Sequence, residues 1–191
     1  MNVNVRRARI TDIPAIFAIN QAYIQEKYSQ SFLIDLFETS ADHFVVEIEE
    51  QSVNKNKINN KNESMAEDQQ HITRDLIEFP STTNNQNIEI FNENLRIVGY
   101  LLADSFKNEI IQLCIHSEYR RRGLALKLIR AAFIETGVEF FTLFVRVDNK
   151  PAYNLYLQKL DGDLISVIPD YYDDSAAFFI KINKKCLKFS I

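Results

Sequence analysis

The sequence predicts an α/β (α+β) domain with a central mixed, mostly antiparallel sheet flanked by about four helices. Three observations carry this. Strand-like and helix-like segments alternate along the chain, and strand-like segments dominate its end. An apolar run, Ile110 to Ile115, passes through a basic turn with one glycine into a helix-periodic segment, Leu124 to Thr136. The 191 residues are 46 % hydrophobic and include 14 Phe and 8 Tyr, enough bulk for one core of ordinary size.

Taken in order, Asn4 to Ala8 reads as a short first strand. Thr11-Asp12 reads as a helix N-cap with Pro14 in the first turn, where a missing N–H costs nothing. Ile13, Ile16, Phe17 and Asn20 then share one helical face. Tyr23 to Ser29 is an aromatic and charged link. Phe32, Leu33, Leu36 and Phe37 mark a second helix, and Phe44 to Ile48 is β-rich. Ile88 to Phe91 and Leu95 to Ala103 flank the turn-like Asn92-Glu93-Asn94 and predict a hairpin. Gly99 inside that second strand predicts a bulge or a close backbone approach. Asn108 to Ile115 is the next strand. The following helix carries Leu124, Ala125, Leu128, Ile129, Ala132 and Phe133 on one face, with Gly137 as its C-cap. Phe140 to Val147 is apolar on both faces and predicts a central strand. A helix over Pro151 to Leu160 and strands over Leu164–Ile168 and Ala176–Ile182 complete the chain, with Tyr171-Tyr172-Asp173-Asp174 between those strands.

Residues 51–87 break this pattern. They are dense in Asn, Gln, Lys, Glu and Ser, and too poor in apolar surface to offset their ordering entropy. The expectation is a single domain over residues 1–191, interrupted by a disordered surface insertion at about 51–87.

Composition narrows the function. The formal net charge of −4 gives no global reason to bind nucleic acid or a membrane surface. Two cysteines without metal spacing argue against a disulfide scaffold and against a metal site. The polar, basic N-terminus lacks a signal-peptide core, and no apolar run reaches transmembrane length. A soluble cytoplasmic protein is the expectation.

The segment Arg120-Arg121-Arg122-Gly123-Leu124-Ala125 carries the chemistry. The first N–H groups of a helix lack internal partners and lie at the positive end of its dipole. Gly123 allows close backbone approach, and three arginines add charge, so the turn suits a phosphate. The same residues also fit a solvated charge run at a helix start. The stretch resembles the acetyl-CoA pyrophosphate loop of the GNAT N-acetyltransferases, Q/R-x-x-G-x-G/A. Downstream, Asn149, Ala152 and Tyr156 resemble that family's N-x-x-A-x-x-x-Y, in the expected order after a strand.

Within that family the chain most resembles the catalytic subunits of N-terminal acetyltransferases, above all NatB. The run Phe140-Phe141-Thr142-Leu143-Phe144-Val145-Arg146-Val147-Asp148-Asn149 is similar to NatB's F-F-x-x-L-F-V-R-V-x-N. Glu26-Lys27-Tyr28 and Phe32 resemble its E-x-Y-x-x-x-F loop, and Tyr171-Tyr172 its paired tyrosines. Three features depart from the pattern: Glu109 stands about where NatB has a histidine, Leu160-Asp161-Gly162 replaces Leu-Gly-Tyr or Leu-Gly-Phe, and the long insertion is atypical.

The resemblance implies transfer of an acetyl group from acetyl-CoA to a protein's N-terminal α-amine, on chains starting Met-Asp, Met-Glu, Met-Asn or Met-Gln. It implies a cofactor site made by backbone groups of Leu113 and Ile115, by Arg120, Arg121, Arg122, Gly123, Leu124 and Ala125, and by Asn149 and Tyr156. Tyr156 is the candidate acid for the leaving thiolate. Glu109 and Glu26 are the candidate carboxylates for the amine, Glu26 leaning towards positioning. Glu26, Tyr28, Tyr171 and Tyr172 are the candidate peptide contacts. No metal is implied. Nascent chains are the implied substrates, with a helical-repeat auxiliary subunit and, through it, the ribosome as partners. NatA-like peptides, another amine, or a non-catalytic CoA-binding role are the alternatives. An amine attacks a thioester directly, so neither cysteine is needed as a nucleophile, and Cys114 reads as a small core residue.

Overall fold

The computed structural model describes residues 2–39, 42–49 and 95–187. Among these, seven strands form one sheet: β1 (Val3–Arg7), β2 (Phe44–Glu49), β3 (Leu95–Asp104), β4 (Glu109–Ile115), β5 (Phe140–Arg146), β6 (Asp163–Tyr172) and β7 (Ser175–Asn183). Their order is β1-β2-β3-β4-β5-β7-β6. Every pairing is antiparallel except β4 with β5. The helices are α1 (Ile13–Tyr23), α2 (Gln30–Thr39), α3 (Leu124–Thr136) and the short α4 (Lys150–Tyr153), which continues as a π-helical turn over Asn154–Lys159. This is the mixed, mostly antiparallel sheet with four helices that the sequence predicts. The insertion at 51–87 and the first arm of the expected hairpin, 88–94, lie outside the described residues.

Two apolar layers sandwich the sheet. On one face Leu128, Ile129 and Phe133 of α3 pack with Phe44, Phe141 and Ile180. On the other, Ile13 and Ile16 of α1 and Leu33 of α2 pack with Val45, Tyr100 and Leu102. Burying a side chain of this size contributes roughly 1.5–3 kcal/mol, so α3 and α1 are held chiefly by these faces. Gly137, at φ +73°, ends α3 by donating its N–H to Phe133 O at 3.2 Å.

Asp12 sits at the N-cap of α1, as expected, but its carboxylate serves elsewhere. It accepts from Arg9 N at 2.7 Å and pairs with Arg6, which also holds Glu47. The first strand is thereby tied to the first helix.

Two irregularities shape the centre. A Cβ on Gly99 would lie 2.8 Å from Cys114 O and collide with Ile115 Cδ1, so the close approach expected at this glycine is real. On β4 the register skips Ile111, leaving Ile111 and Gln112 both towards α1 while Leu113 packs on the α3 face.

β4 and β5 pair at one position, Glu109 with Thr142. Beyond it the strands part, and the far edge of β4 has no ladder partner among the described residues. The tyrosine pair does not sit in a loop as expected. β6 runs on through Tyr172, which pairs with Ser175, and Asp170 takes φ +50° at the bend.

Candidate active site

A cavity of about 540 Å³ occupies the opening beyond the β4–β5 split. The end of β4 supplies Leu113, Cys114 and Ile115, the turn supplies Arg120, Arg121 and Gly123, and the segment after β5 supplies Asn149 and Tyr156. Seven of the expected cofactor residues therefore meet in one place, together with Leu124 and Ala125 at the start of α3. Arg122 stands beside them, its guanidinium over the Tyr119 ring at 5.2 Å.

The turn has the form an anion requires. Arg121 takes φ +64° and Gly123 φ +76°, and Gly123 is the N-cap of α3. The intrahelical ladder begins with Lys127 N on Gly123 O at 3.1 Å, so the N–H groups of Leu124, Ala125 and Leu126 have no helical acceptor. All three residues line the cavity. No atom lies within 4 Å of a Cβ built on Gly123, so the space in front of the turn is open. These features fit a pyrophosphate.

Arg120 plays a second part. Its Nε donates to Ile115 O at 2.9 Å, and its guanidinium lies over the Tyr23 ring at 5.4 Å. Tyr23 Oη in turn lies 3.0 Å from His116 Nε2. The end of α1 and the basic turn are thus fastened to each other across the cavity. One acceptor position of Ile115 O, a group expected to meet the pantetheine, is already taken.

Tyr156 lies in the π-helical turn, a local widening that often marks functional positions. It is 5 % exposed, and its hydroxyl has no hydrogen-bond partner among the described residues while its side chain lines the cavity. Burial pushes the phenol well above its ordinary range, so it stays protonated and can donate. Asn149 also caps α4 by accepting from Ala152 N at 3.1 Å. Cys114 is 4 % exposed, and burial pushes its thiol up to about 11. It is a core residue whose surface borders the cavity, without the thiolate a nucleophile needs.

The remaining candidates gather outside the cavity, on the face covered by α1 and α2. Glu26 Oε1 lies 2.7 Å from Arg146 Nη1. Tyr28 N donates to Asn20 Oδ1 at 2.9 Å, and its ring packs on Phe32 at 4.4 Å. Tyr171 stacks on Phe144 at 4.4 Å, and Tyr172 meets Tyr171 edge-on and lies under the Arg146 guanidinium at 5.2 Å. Burial pushes Tyr172 up to about 12. Tyr28 is raised by burial and then by the charges of Tyr171, Glu109 and Glu26, so these four side chains share one field. Glu109 is half-buried at the start of β4, four residues and about 13 Å of strand from Leu113. It does not line the cavity.

Two functional features carried no role in the sequence. Arg146, 7 % exposed, binds Glu26, Asp148 at 3.2 Å and Asp174 at 2.8 Å. Its own pKa is raised, chiefly by the bond to Asp174. Asn20, fully buried, donates to Gln112 Oε1 at 2.7 Å, and Gln112 Nε2 reaches Glu26 O at 3.4 Å. The signal for both was a polar residue in an apolar period, since a buried polar group needs partners.

Among the described residues no group of His, Cys, Asp and Glu could hold a metal ion, and no helix is long and apolar enough to cross a membrane.

Residues 56–161 match the model of the acetyltransferase (GNAT) family, and the chain belongs to that family. Its relatives in sequence are N-alpha-acetyltransferases. It is 35 % identical over 89 residues to N-alpha-acetyltransferase daf-31 of Caenorhabditis elegans, a match covering 41 % of this chain and 49 % of that protein, about half its length. It is 27 % identical over 175 residues to the N-alpha-acetyltransferase of Sulfurisphaera tokodaii, covering 89 % of this chain and 86 % of the other. In fold it is similar to a chain of the NatC complex bound to Gag peptide and CoA, with TM-score 0.63, 16 % identity, and coverage of 96 % of this chain and 99 % of that one.

Proposed function

We propose that this enzyme transfers the acetyl group of acetyl-CoA to the N-terminal α-amino group of protein chains. The observation that carries the reading is the cavity in the β4–β5 opening, with an open glycine turn at one end and the unpartnered Tyr156 hydroxyl inside it. Relatives named N-alpha-acetyltransferases supply the acceptor class.

The turn at Arg120–Gly123 and the first N–H groups of α3 hold the pyrophosphate. Free backbone groups along β4, those of Leu113 first, pair with the pantetheine arm as an added strand edge would. The α-amine attacks the thioester carbonyl, so a C–N bond forms and the C–S bond breaks. Tyr156 donates its proton to the departing thiolate. An α-amine has an ordinary pKa of about 7.7–8.0, so much of it is neutral at mild alkaline pH; the nitrogen loses one proton to water as the amide forms, and Tyr156 regains its own proton from water. Glu26 keeps its place on Arg146 and positions the peptide. Tyr28, Tyr171 and Tyr172 form the walls of the peptide slot.

The resemblance to NatB assigns acceptors that begin Met-Asp, Met-Glu, Met-Asn or Met-Gln, drawn from nascent chains and presented with a helical-repeat auxiliary subunit. The described residues and the insertion work as one domain, in which 51–87 is dispensable for transfer. The test is acetyl transfer to peptides with free N-termini, against an amino-blocked peptide carrying an internal lysine. Product on the free N-termini alone supports the reading. Product on the blocked peptide replaces it with lysine acetylation.

A further inference from the structure

The transfer chemistry leaves Glu109 unused, and its surroundings are unusual for a half-buried carboxylate. Among the described residues its carboxylate has no hydrogen bond or ion pair. Its partner across β3 is another acid, Asp104. The nearby cations are engaged elsewhere. Lys107 Nζ lies 3.1 Å from Asp104 Oδ2. Lys181, which pairs with Thr142 beside Glu109, holds its ammonium 4.2 Å over the Phe140 ring. Arg146 is shared among three carboxylates.

Aromatic faces complete the setting. Thr142 is the strand partner of Glu109, and Phe144 is two residues further on the same face of β5. Tyr171 stacks on Phe144 with its ring plane tilted by 13°, and it is 45 % exposed, so part of the ring is open to a ligand. Tyr28 is carried by the segment that Gln112 and Asn20 anchor. The charge of Glu109 raises the hydroxyls of both Tyr28 and Tyr171, second to burial for Tyr171.

An unpaired carboxylate taken partly out of water, flanked by ring faces of negative quadrupole, favours a cation and disfavours an anion. We propose that Glu109, Tyr28 and Tyr171 form a subsite for a cationic side chain of the acceptor peptide, a Lys or Arg close behind the reacting N-terminus. The inference rests on the N-terminal reading and reorders its NatB-like set: cations first, the amides Asn and Gln next, Asp and Glu last.

The experiment uses the full chain, acetyl-CoA and peptides that differ only at the second residue, Met-Lys, Met-Asn and Met-Asp. The Met-Lys peptide should exceed Met-Asp by about tenfold or more in kcat/KM, the size expected of a partly desolvated cation–π and carboxylate contact. Glu109→Gln should bring that ratio close to unity, and Tyr171→Leu, at an exposed position, should lower it. Equal rates on Met-Lys and Met-Asp overturn the proposal. So does a ratio that survives Glu109→Gln, including the case where all peptides slow together because Glu109 accepts the amine's proton. Calorimetry with the amino-blocked forms of the same peptides and CoA reads the subsite without turnover. Tighter binding of the Lys form supports it, and equal binding overturns it. If no free N-terminus is acetylated, the N-terminal reading has failed, and this second arm still decides the subsite.

Discussion

Arg146 Nη1 lies 2.7 Å from Glu26 Oε1, and the same nitrogen lies 2.8 Å from Asp174 Oδ1. One guanidinium at the end of β5 therefore joins the segment after α1 to the turn between β6 and β7. Gln25 Nε2 reaches Asp174 Oδ2 at 3.3 Å and closes the ring. Arg is suited to this because its planar fork serves two carboxylates at once. Glu26 is 38 % exposed and Asp174 62 % exposed, so each pair contributes at most about 1 kcal/mol to stability. The consequence is geometric. Arg146→Met should lower the thermal midpoint only slightly, yet raise peptide KM by about tenfold while leaving acetyl-CoA KM nearly unchanged. Arg146→Lys should recover part of the loss. Equal rises in both KM values would assign Arg146 to general folding.

Tyr156 offers a sharper separation of binding from chemistry. Its hydroxyl has no partner among the described residues, so removing it leaves no buried group unsatisfied. Tyr156→Phe should therefore be nearly neutral for stability. General acid catalysis is worth about 10²–10⁴ in rate, and a loss of kcat towards that range, with unchanged CoA affinity by calorimetry, is the expected result. Full activity in the variant would remove Tyr156 from the mechanism.

Most of the candidate cofactor site was legible because its residues are close in sequence and follow from local chemistry. Gly123 reads as a point where the backbone can be approached and Gly99 as a close approach, and the structure leaves open space at the first and a tight contact at the second. The surroundings of the candidate peptide contacts were less legible because they are long-range. Glu26 and Arg146 are 120 residues apart, and Asn20 and Gln112 are 92 apart. The length of β6 was also hidden. Pro169, Asp170 and Tyr171-Tyr172 look like a loop, and only pairing of Tyr172 with Ser175 keeps them in the strand. The π-helical turn around Tyr156 has no marker in its composition that separates it from an ordinary helix.

Gly123 permits two substitutions with different signatures. Its φ of +76° is unfavourable for any side chain, while the space around a new Cβ is empty. Gly123→Ala should cost about 1–2 kcal/mol through backbone strain and weaken acetyl-CoA binding modestly. Gly123→Glu adds a negative charge at the same point, and it should abolish binding in calorimetry. Retained binding in Gly123→Glu would move the pyrophosphate away from this turn.

His43 predicts how the fold responds to acid. Its ring is buried between Leu36 O, 3.3 Å from Nε2, and Ala103 N, which donates to Nδ1 at 3.4 Å. These partners require the neutral ring with its proton on Nε2. Burial lowers the pKa below the ordinary 6.5, against the opposing pull of Asp42 and Asp104. The unfolded chain therefore takes up the proton at higher pH than the folded one. The stability this ring provides is complete above about pH 6.5 and falls as pH drops towards the folded value. Thermal midpoints measured from about pH 7.5 to about pH 5.5 should decline for the natural chain. His43→Gln should lower the midpoint at neutral pH through lost packing on Phe37, and it should flatten the decline. A variant whose midpoint falls as steeply as that of the natural chain would show that other groups cause the acid sensitivity.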